Sequence, residues 1–422
     1  MAYIEKLQSN IEYPHLTLVD IVHRNNTNGR NYLEIYPASH LLKHYINRDL
    51  KDIKLGQLYG SSGVHINELL TNTKNIIVET TYQDLLALPK AKQVKLLKDY
   101  TLILTDIEEG GAFFGYMGPC LVEHIKNLNV IPKRIYSLNA GIHQHDYPEL
   151  NITAVFISTW TVLSMLNDQY FIDLIFDNSK KQQALDLLSK KEKRFGLCLN
   201  KKPRYNRVKL LAELDKRNLL ELFDWTLLYS SEPLGTQQDF GSFLKSPNNF
   251  RFNNDLAASN DHDILRFLEK QTLPRLMSDS KQNTFGDSIG ASPEWVGKYR
   301  YYISNETYCN KIPTSLGSVG FITEKTFKAM SIGAYPFVIG VPDSEKKLKH
   351  LGFKLNDHGY DHLQGVERIL AVCDVVEDAV TNPTTSQDMV LHNFELITNL
   401  NFLVNLITNP IKEIINLHTQ QN

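Results

Sequence analysis

The sequence predicts an α/β chain made of two doubly wound domains, and three observations carry that expectation. Short β-branched runs alternate with longer stretches of helical period, the pattern of parallel strands joined by crossover helices. At 422 residues the chain exceeds an ordinary single-core domain about two- to threefold. The strand signals fade over residues 167–191, a polar, Lys-containing helical stretch, and a second α/β series begins after it.

Expected strands in the first part are Leu16 to Val22, Asn75 to Glu79, Tyr100 to Thr105, Arg134 to Leu138 and Ala154 to Ser158, with helices over Tyr82 to Leu97 and Pro119 to Asn127. The second series reads as strands Phe195 to Leu199, Trp225 to Tyr229, Tyr299 to Ser304 and Tyr335 to Ile339. Its helices are expected over Arg207 to Asn218, Thr323 to Ile332 and Gly365 to Ala379. Ser231 to Asn260, rich in Asn, Ser, Gly and Phe, is expected to be an irregular excursion, a kind of loop that is more often functional than idle. After Pro383 the apolar positions Phe394, Ile397, Leu400, Leu403 and Leu406 predict helix to the end. The expected domains are therefore 1–166, a linker over 167–191, 192–384, and C-terminal helices over 385–422 packing back across the boundary.

Composition narrows the function classes. With 45 Lys and Arg against 47 Asp and Glu the formal charge is −2, which lacks the basic excess of a non-specific nucleic-acid binder. The four cysteines, Cys120, Cys198, Cys309 and Cys373, form no C-x-x-C pair, and are expected to be reduced thiols of a cytoplasmic protein. The N-terminus lacks a secretory pattern, and the most apolar window, Ile152 to Leu166, is too short and too hydroxylated to span a bilayer.

The most informative stretch runs from Lys298-Tyr-Arg-Tyr-Tyr-Ile-Ser-Asn-Glu-Thr through Phe321-Ile-Thr-Glu-Lys-Thr-Phe-Lys to Tyr335-Pro-Phe-Val-Ile-Gly340. A strand ends in Asn305-Glu306-Thr307, and Thr323 stands as N-cap of a helix whose first turn carries Glu324 and Lys325. Free backbone N–H groups and a lysine at a helix N-terminus suit a diphosphate, and a carboxylate there can accept hydrogen bonds from ribose hydroxyls. The same spacing is also met by a capped amphipathic helix whose Glu and Lys are merely solvated.

A second constellation is Lys193-Arg-Phe-Gly-Leu-Cys-Leu-Asn-Lys-Lys-Pro-Arg-Tyr-Asn-Arg207. Between Ser189 and Arg217 eleven Lys or Arg face three acids, a local field suited to a polyanion or, alternatively, a solvated basic helix face. In the first half, the strand through Leu102 to Thr105 leads into an acidic, glycine-rich loop. Asp106, Glu108 and Glu109 there are candidate general bases for an acceptor hydroxyl, or else an ordinary polar turn. His143 and His145 share a face if extended, and are candidates for the acceptor side or for a base, the other readings being a metal pair without a third ligand nearby and an ordinary surface loop. No Asp-x-Asp triplet stands at a strand end, so no metal is expected.

The 298–340 stretch resembles the donor-binding signature of α-1,3-fucosyltransferases, in which a strand ending in Phe-Glu-Asn-Ser precedes Tyr-Val-Thr-Glu-Lys, a helix and a Pro-Val-Val-x-Gly strand. Thr323-Glu324-Lys325 and Pro336 to Gly340 match it, while Asn305-Glu306-Thr307 is offset, with acid and amide in changed order. It is more closely similar to phage-encoded and marine bacterial glycosyltransferase-like proteins, through Leu348-Lys-His-Leu-Gly-Phe353, Tyr360-Asp361 and Glu367-Arg368.

The resemblance implies two Rossmann-like domains facing across a cleft, the GT-B arrangement, and transfer of a sugar from a nucleoside-diphosphate sugar to a hydroxyl, with inversion. It implies that Arg207 and Lys325 neutralise the diphosphate, that Asn200 and Arg204 are further donor contacts, and that Glu306, Asn305, Thr323 and Glu324 belong to the donor site. The expected acceptor is a glycan or a hydroxymethylated pyrimidine in phage DNA, met in the host cytoplasm if the protein is viral. No cofactor beyond the donor substrate is expected. A non-catalytic nucleotide-binding or assembly protein that keeps a transferase fold is the alternative.

Overall fold

The computed structural model describes residues 54–57, 76–80, 85–86, 88–105, 121–139, 146–156, 165, 169–190, 193–200, 203–227, 256, 259–271, 293–306, 309, 312–314, 317–319, 322–383 and 385–419. The chain divides into two compact units. One comprises Met1–Leu163, Ile312–Val319 and Leu403–Asn422, the other Ser164–Lys311 and Gly320–Phe402. The expected strand Leu16 to Val22 and almost all of the Ser231 to Asn260 excursion lie outside the described residues.

The first unit holds a parallel sheet of five strands: β1 (Lys54–Gln57), β2 (Ile76–Thr80), β3 (Thr101–Thr105), β4 (Arg134–Asn139) and β5 (Ile152–Phe156). Its spatial order is the chain order. Successive right-handed crossovers in one direction place their helices on one face. Accordingly Leu96 and Leu97 of α1 (Lys90–Asp99) and Leu121, Val122 and Ile125 of α2 (Leu121–Asn127) enclose one core with Val78, Leu102, Leu104, Ile135 and Ile152. The expectation of double winding is therefore not met among the described strands of this half. The hairpin of β9 (Ile312–Thr314) and β10 (Gly317–Val319) also belongs to this unit.

The second unit is wound both ways. Its strands are β6 (Arg194–Asn200), β7 (Phe223–Leu227), β8 (Tyr299–Asn305) and β11 (Tyr335–Ile339), all parallel, in the order β11-β8-β6-β7. From β6 the chain moves outward to β7 through α5 (Tyr205–Lys216). From β8 it moves the opposite way to β11 through α7 (Glu324–Ser331). On the α7 face Leu197, Tyr302, Ala329, Ile332 and Ala334 form a core. On the other face α5 packs against α9 (Gly365–Thr381) and α6 (His262–Glu269), over the stacked rings of Tyr301 and Phe337.

Within the helical stretch expected between the domains, the described residues form two helices of this unit, α3 (Gln169–Phe176) and α4 (Asn178–Leu188). Asp177 accepts from the N–H groups of Ser179 and Lys180 and so starts α4, and Leu174, Ala184 and Leu188 pack with Val296 and Phe394. Gly333, which ends α7 at φ +70°, has no room for a side chain because a Cβ there would meet Leu188 Cδ2 at 1.9 Å. The C-terminal part is helical as expected, in α10 (Gln387–Ile397) and α11 (Leu400–Thr419). Among the described residues no helix is long and apolar enough to cross a membrane.

A buried arginine fastens the turn that follows β11. Arg368 of α9 is fully buried and donates to the carbonyls of Val338, Val341 and Asp361 and to the Asp361 carboxylate. Asp361 in turn accepts from the N–H groups of Glu345 and Lys346, the first turn of α8 (Ser344–His350). Burial, reinforced by the charge of Asp361 and opposed by the Tyr360 hydroxyl and the charges of Arg368 and Lys349, pushes the Glu345 carboxyl up from the usual 4.5 to about 7. The folded chain thus keeps this proton to a higher pH than the unfolded chain. Its contribution is most favourable below about pH 4.5 and is lost as pH rises to about 7, a loss of roughly 3 kcal/mol. Glu345→Gln has no such proton to release, so its stability relative to wild type should rise between about pH 5 and about pH 8 in urea titrations. An offset that is the same at both pH values would show that Glu345 does not titrate in that window.

Candidate functional site

A sheet wound both ways has one place where neighbouring strands send their connections to opposite faces, and the crevice there is where open α/β sheets bind ligands. In this chain that place is the C-terminal end of β6 and β8. Hydrogen-bonded register between the two strands is defined from Arg194↔Tyr299 to Leu197↔Tyr302. By contrast, β6 pairs β7 through Asn200, and β8 pairs β11 through Asn305.

Two adjacent residues at the end of β8 reach to opposite faces, as strand alternation requires. Asn305 turns to the α5 face, where its Oδ1 accepts from Asn206 Nδ2 at 2.8 Å. Glu306 turns to the α7 face and is fully buried. Its carboxyl accepts from the Thr323 N–H at 3.2 Å, the Thr323 hydroxyl at 2.5 Å and the Thr326 hydroxyl at 2.6 Å. Ser304 completes the set with a 2.7 Å contact to Thr326. Thr323 is the N-cap, accepting from the Lys325 N–H at 3.3 Å, and the Lys325 ammonium donates to the same hydroxyl at 2.9 Å.

On the β6 side, Asn200 is fully buried. Its N–H donates to the Thr226 hydroxyl at 3.0 Å and its Nδ2 to Cys198 Sγ at 3.4 Å. Burial pushes the Cys198 thiol up to about 12, so it stays a thiol. Arg204 is the N-cap residue of α5 and half-buried, and Arg207 stands in the first turn, buried to 5% exposure. That turn carries no acid. A cation at the positive end of a helix costs about 0.3–1 kcal/mol, a cost that an anion bound there reverses.

Four of the eleven basic residues counted along 189–217 are paired with acids in the fold. Arg194 pairs with Asp224, Lys209 with Asp261, Lys216 with Asp263, and Arg217 with Glu213, Asp374 and Glu377. Arg204 and Arg207 are the members of that segment placed at the start of α5, beside the crevice.

The structure thus gathers Asn200, Arg204, Arg207, Asn305, Glu306, Thr323 and the start of the helix bearing Glu324 and Lys325 at the ends of two neighbouring strands. It changes the task of one of them. Glu306, expected to face the donor, spends its carboxyl inside the protein, where it holds the α7 N-terminus against β8. Asp106, Glu108, Glu109, His143 and His145 lie outside the described residues. Asn206, Ser304 and Thr326 were missed; the signal was available, since polar residues at strand ends and in first turns seldom serve a purely apolar core. No protein family's sequence pattern matches the chain, and no curated protein or solved structure is significantly similar to it.

Removing the Glu306 carboxyl strands the Thr323 N–H and two hydroxyls, each costing about 1–3 kcal/mol if left unpaired. Glu306→Ala should therefore lower stability by at least about 2 kcal/mol in chemical denaturation. Thr323→Val should lose about 1 kcal/mol with the cap. A loss under about 0.5 kcal/mol for Glu306→Ala would mean that the α7 N-terminus is held by something else.

Proposed function

We propose that the protein is a glycosyltransferase that takes a nucleoside-diphosphate sugar as donor, with the diphosphate at the β6–β8 switch point of the second unit. The observation that carries this reading is the convergence of two helix N-termini from opposite faces of one sheet, each with a cation in its first turn, Arg207 on α5 and Lys325 on α7. The resemblance of residues 298–368 to fucosyltransferase and phage glycosyltransferase-like sequences supports a sugar nucleotide over other anions.

In this reading departure of the diphosphate builds negative charge on its oxygens, and Arg207 and Lys325 stabilise that charge where it develops. Asn200 and Arg204 are further donor contacts, and Thr323 with Glu306 keeps the α7 amides aimed at the ligand. The acceptor hydroxyl loses its proton to a base from the acidic loop Asp106 to Glu109, with Glu109 the first candidate. The GT-B arrangement, inversion and independence of metal belong to the same proposal.

Calorimetric titration with GDP, UDP and CMP identifies the nucleotide. Charge-assisted hydrogen bonds contribute about 1.5–3 kcal/mol each, so Arg207→Ala and Lys325→Ala should each weaken binding about 10- to 100-fold. Near-normal affinity in both variants would sink the donor assignment. Glu109→Gln should bind the donor normally while transfer to glycan or hydroxymethylated DNA, followed by mass spectrometry, falls at least about 100-fold. Unchanged turnover would remove Glu109 as the base, and binding without transfer by the wild type would favour a non-catalytic nucleotide-binding role.

A further inference from the structure

Two buried amides at the crevice are each held at one end and open at the other. Asn305 is 3% exposed; Asn206 holds its Oδ1, and its Nδ2 has no hydrogen-bond partner. Asn200 is 0% exposed; its Nδ2 is spent on Cys198, and its Oδ1 has no partner. Buried polar atoms in native proteins are nearly all satisfied, so an orphan donor and an orphan acceptor at one place call for an explanation.

Their placement supplies one. Gly196 pairs with Tyr301 in the register of β6 and β8, and side chains alternate along a strand, so Asn200 and Asn305 belong to the same face, the one covered by α5. The bond from Asn206 of α5 confirms that face for Asn305. The paired register of β6 and β8 ends at Leu197↔Tyr302, so both amides stand beyond the last hydrogen bond between the strands. An oxygen lying between them can accept from Asn305 Nδ2 and donate to Asn200 Oδ1.

The pair also selects by charge. An anionic oxygen is repelled by the Asn200 carbonyl and a cation by the Asn305 amide, which leaves a neutral group able both to donate and to accept. We infer that Asn200 and Asn305 form a hydroxyl-recognition site, distinct from the cationic diphosphate contacts, that reads one hydroxyl of the sugar nucleotide. This rests on the donor reading above. Because Asn206 and Cys198 fix the amide orientations before binding, little conformational freedom is lost when the hydroxyl arrives.

The hydroxyl belongs either to the ribose or to the transferred sugar, and ligand-side deletions separate the two without altering the protein. Wild-type full-length chain is titrated with GDP and UDP, their 2′-deoxy and 3′-deoxy forms, and the sugar nucleotides with single deoxygenations in the sugar. If the ribose is read, one deoxynucleotide binds about tenfold more weakly, and Asn305→Ala and Asn200→Ala abolish that discrimination. If the sugar is read, nucleotide affinity is untouched by either variant, while affinity for the intact sugar nucleotide falls about tenfold and one deoxygenated donor loses as much with wild type. Binding that Arg207→Ala destroys but that no deoxygenation changes would overturn the inference alone and leave the amide pair as a water site. Failure of every nucleotide to bind the wild type would overturn it together with the donor reading.

Discussion

The second unit depends on a single buried carboxyl. Glu306 closes β8 and is shut off from solvent, yet its oxygens collect an N–H and two hydroxyls from the beginning of α7. A helix start leaves several N–H groups without partners. Here the cap, the strand end and the first turn form one closed set, because Thr323 accepts from Lys325 while donating to Glu306. The direction in which the remaining α7 amides point is thereby set by the sheet, the most rigid part of the unit, and not by the loop that precedes the helix.

Winding makes that local device useful. In the first unit the described strands follow chain order, and the two described crossover helices, α1 and α2, share one face. In the second unit β6 and β8 send their connections to opposite faces, and α5 and α7 begin on either side of the gap. Asn206, in the first turn of α5, bonds both the Asn305 side chain and the Glu306 carbonyl, so the two helix starts are coupled through two residues of one strand end. A displacement of either helix start is resisted by both.

The α/β alternation of the second unit was legible because its strands are buried on both faces. Tyr335–Ile339 is apolar at nearly every position, and its expected ends coincide with the observed ones. Asn200 and Asn305 were legible as polar strand ends and Thr323 as a helix cap because polar side chains there and a threonine before a helix have few other uses. Three things could not be read. Strand order is a tertiary property, so the difference between one-way and two-way winding leaves no local mark. Helix was expected over α3 and α4, but their membership of the second unit rests on Leu174, Ala184 and Leu188 packing with Val296 and Phe394, residues far along the chain, and so left no local mark. The pairing of Lys209, Lys216 and Arg217 could not be read because their counter-charges, Asp261, Asp263, Asp374 and Glu377, come from segments far along the chain.

That pairing sharpens the electrostatic case. Had the whole segment been unpaired, a diffuse positive surface would attract any polyanion, screened by salt over about 10 Å. Lys209, Lys216 and Arg217 are matched by acids, and Arg204, Arg207 and Lys325 stand at the sheet's C-terminal edge beside buried amides and hydroxyls that prefer particular geometries. The opposite end of the same sheet carries Asp224 with Arg194 and the Tyr299 hydroxyl as its partners, beside Trp295 and Ala334. Asn200, Ser304, Asn305 and Glu306 stand at the end where the polar set is not closed. Desolvating those polar groups is unfavourable unless each is bonded, and two of their atoms are bonded to nothing in the protein. In the proposed reading a sugar nucleotide brings charge to the helix starts and a hydroxyl to the two amides, whereas a simple inorganic anion brings only the charge.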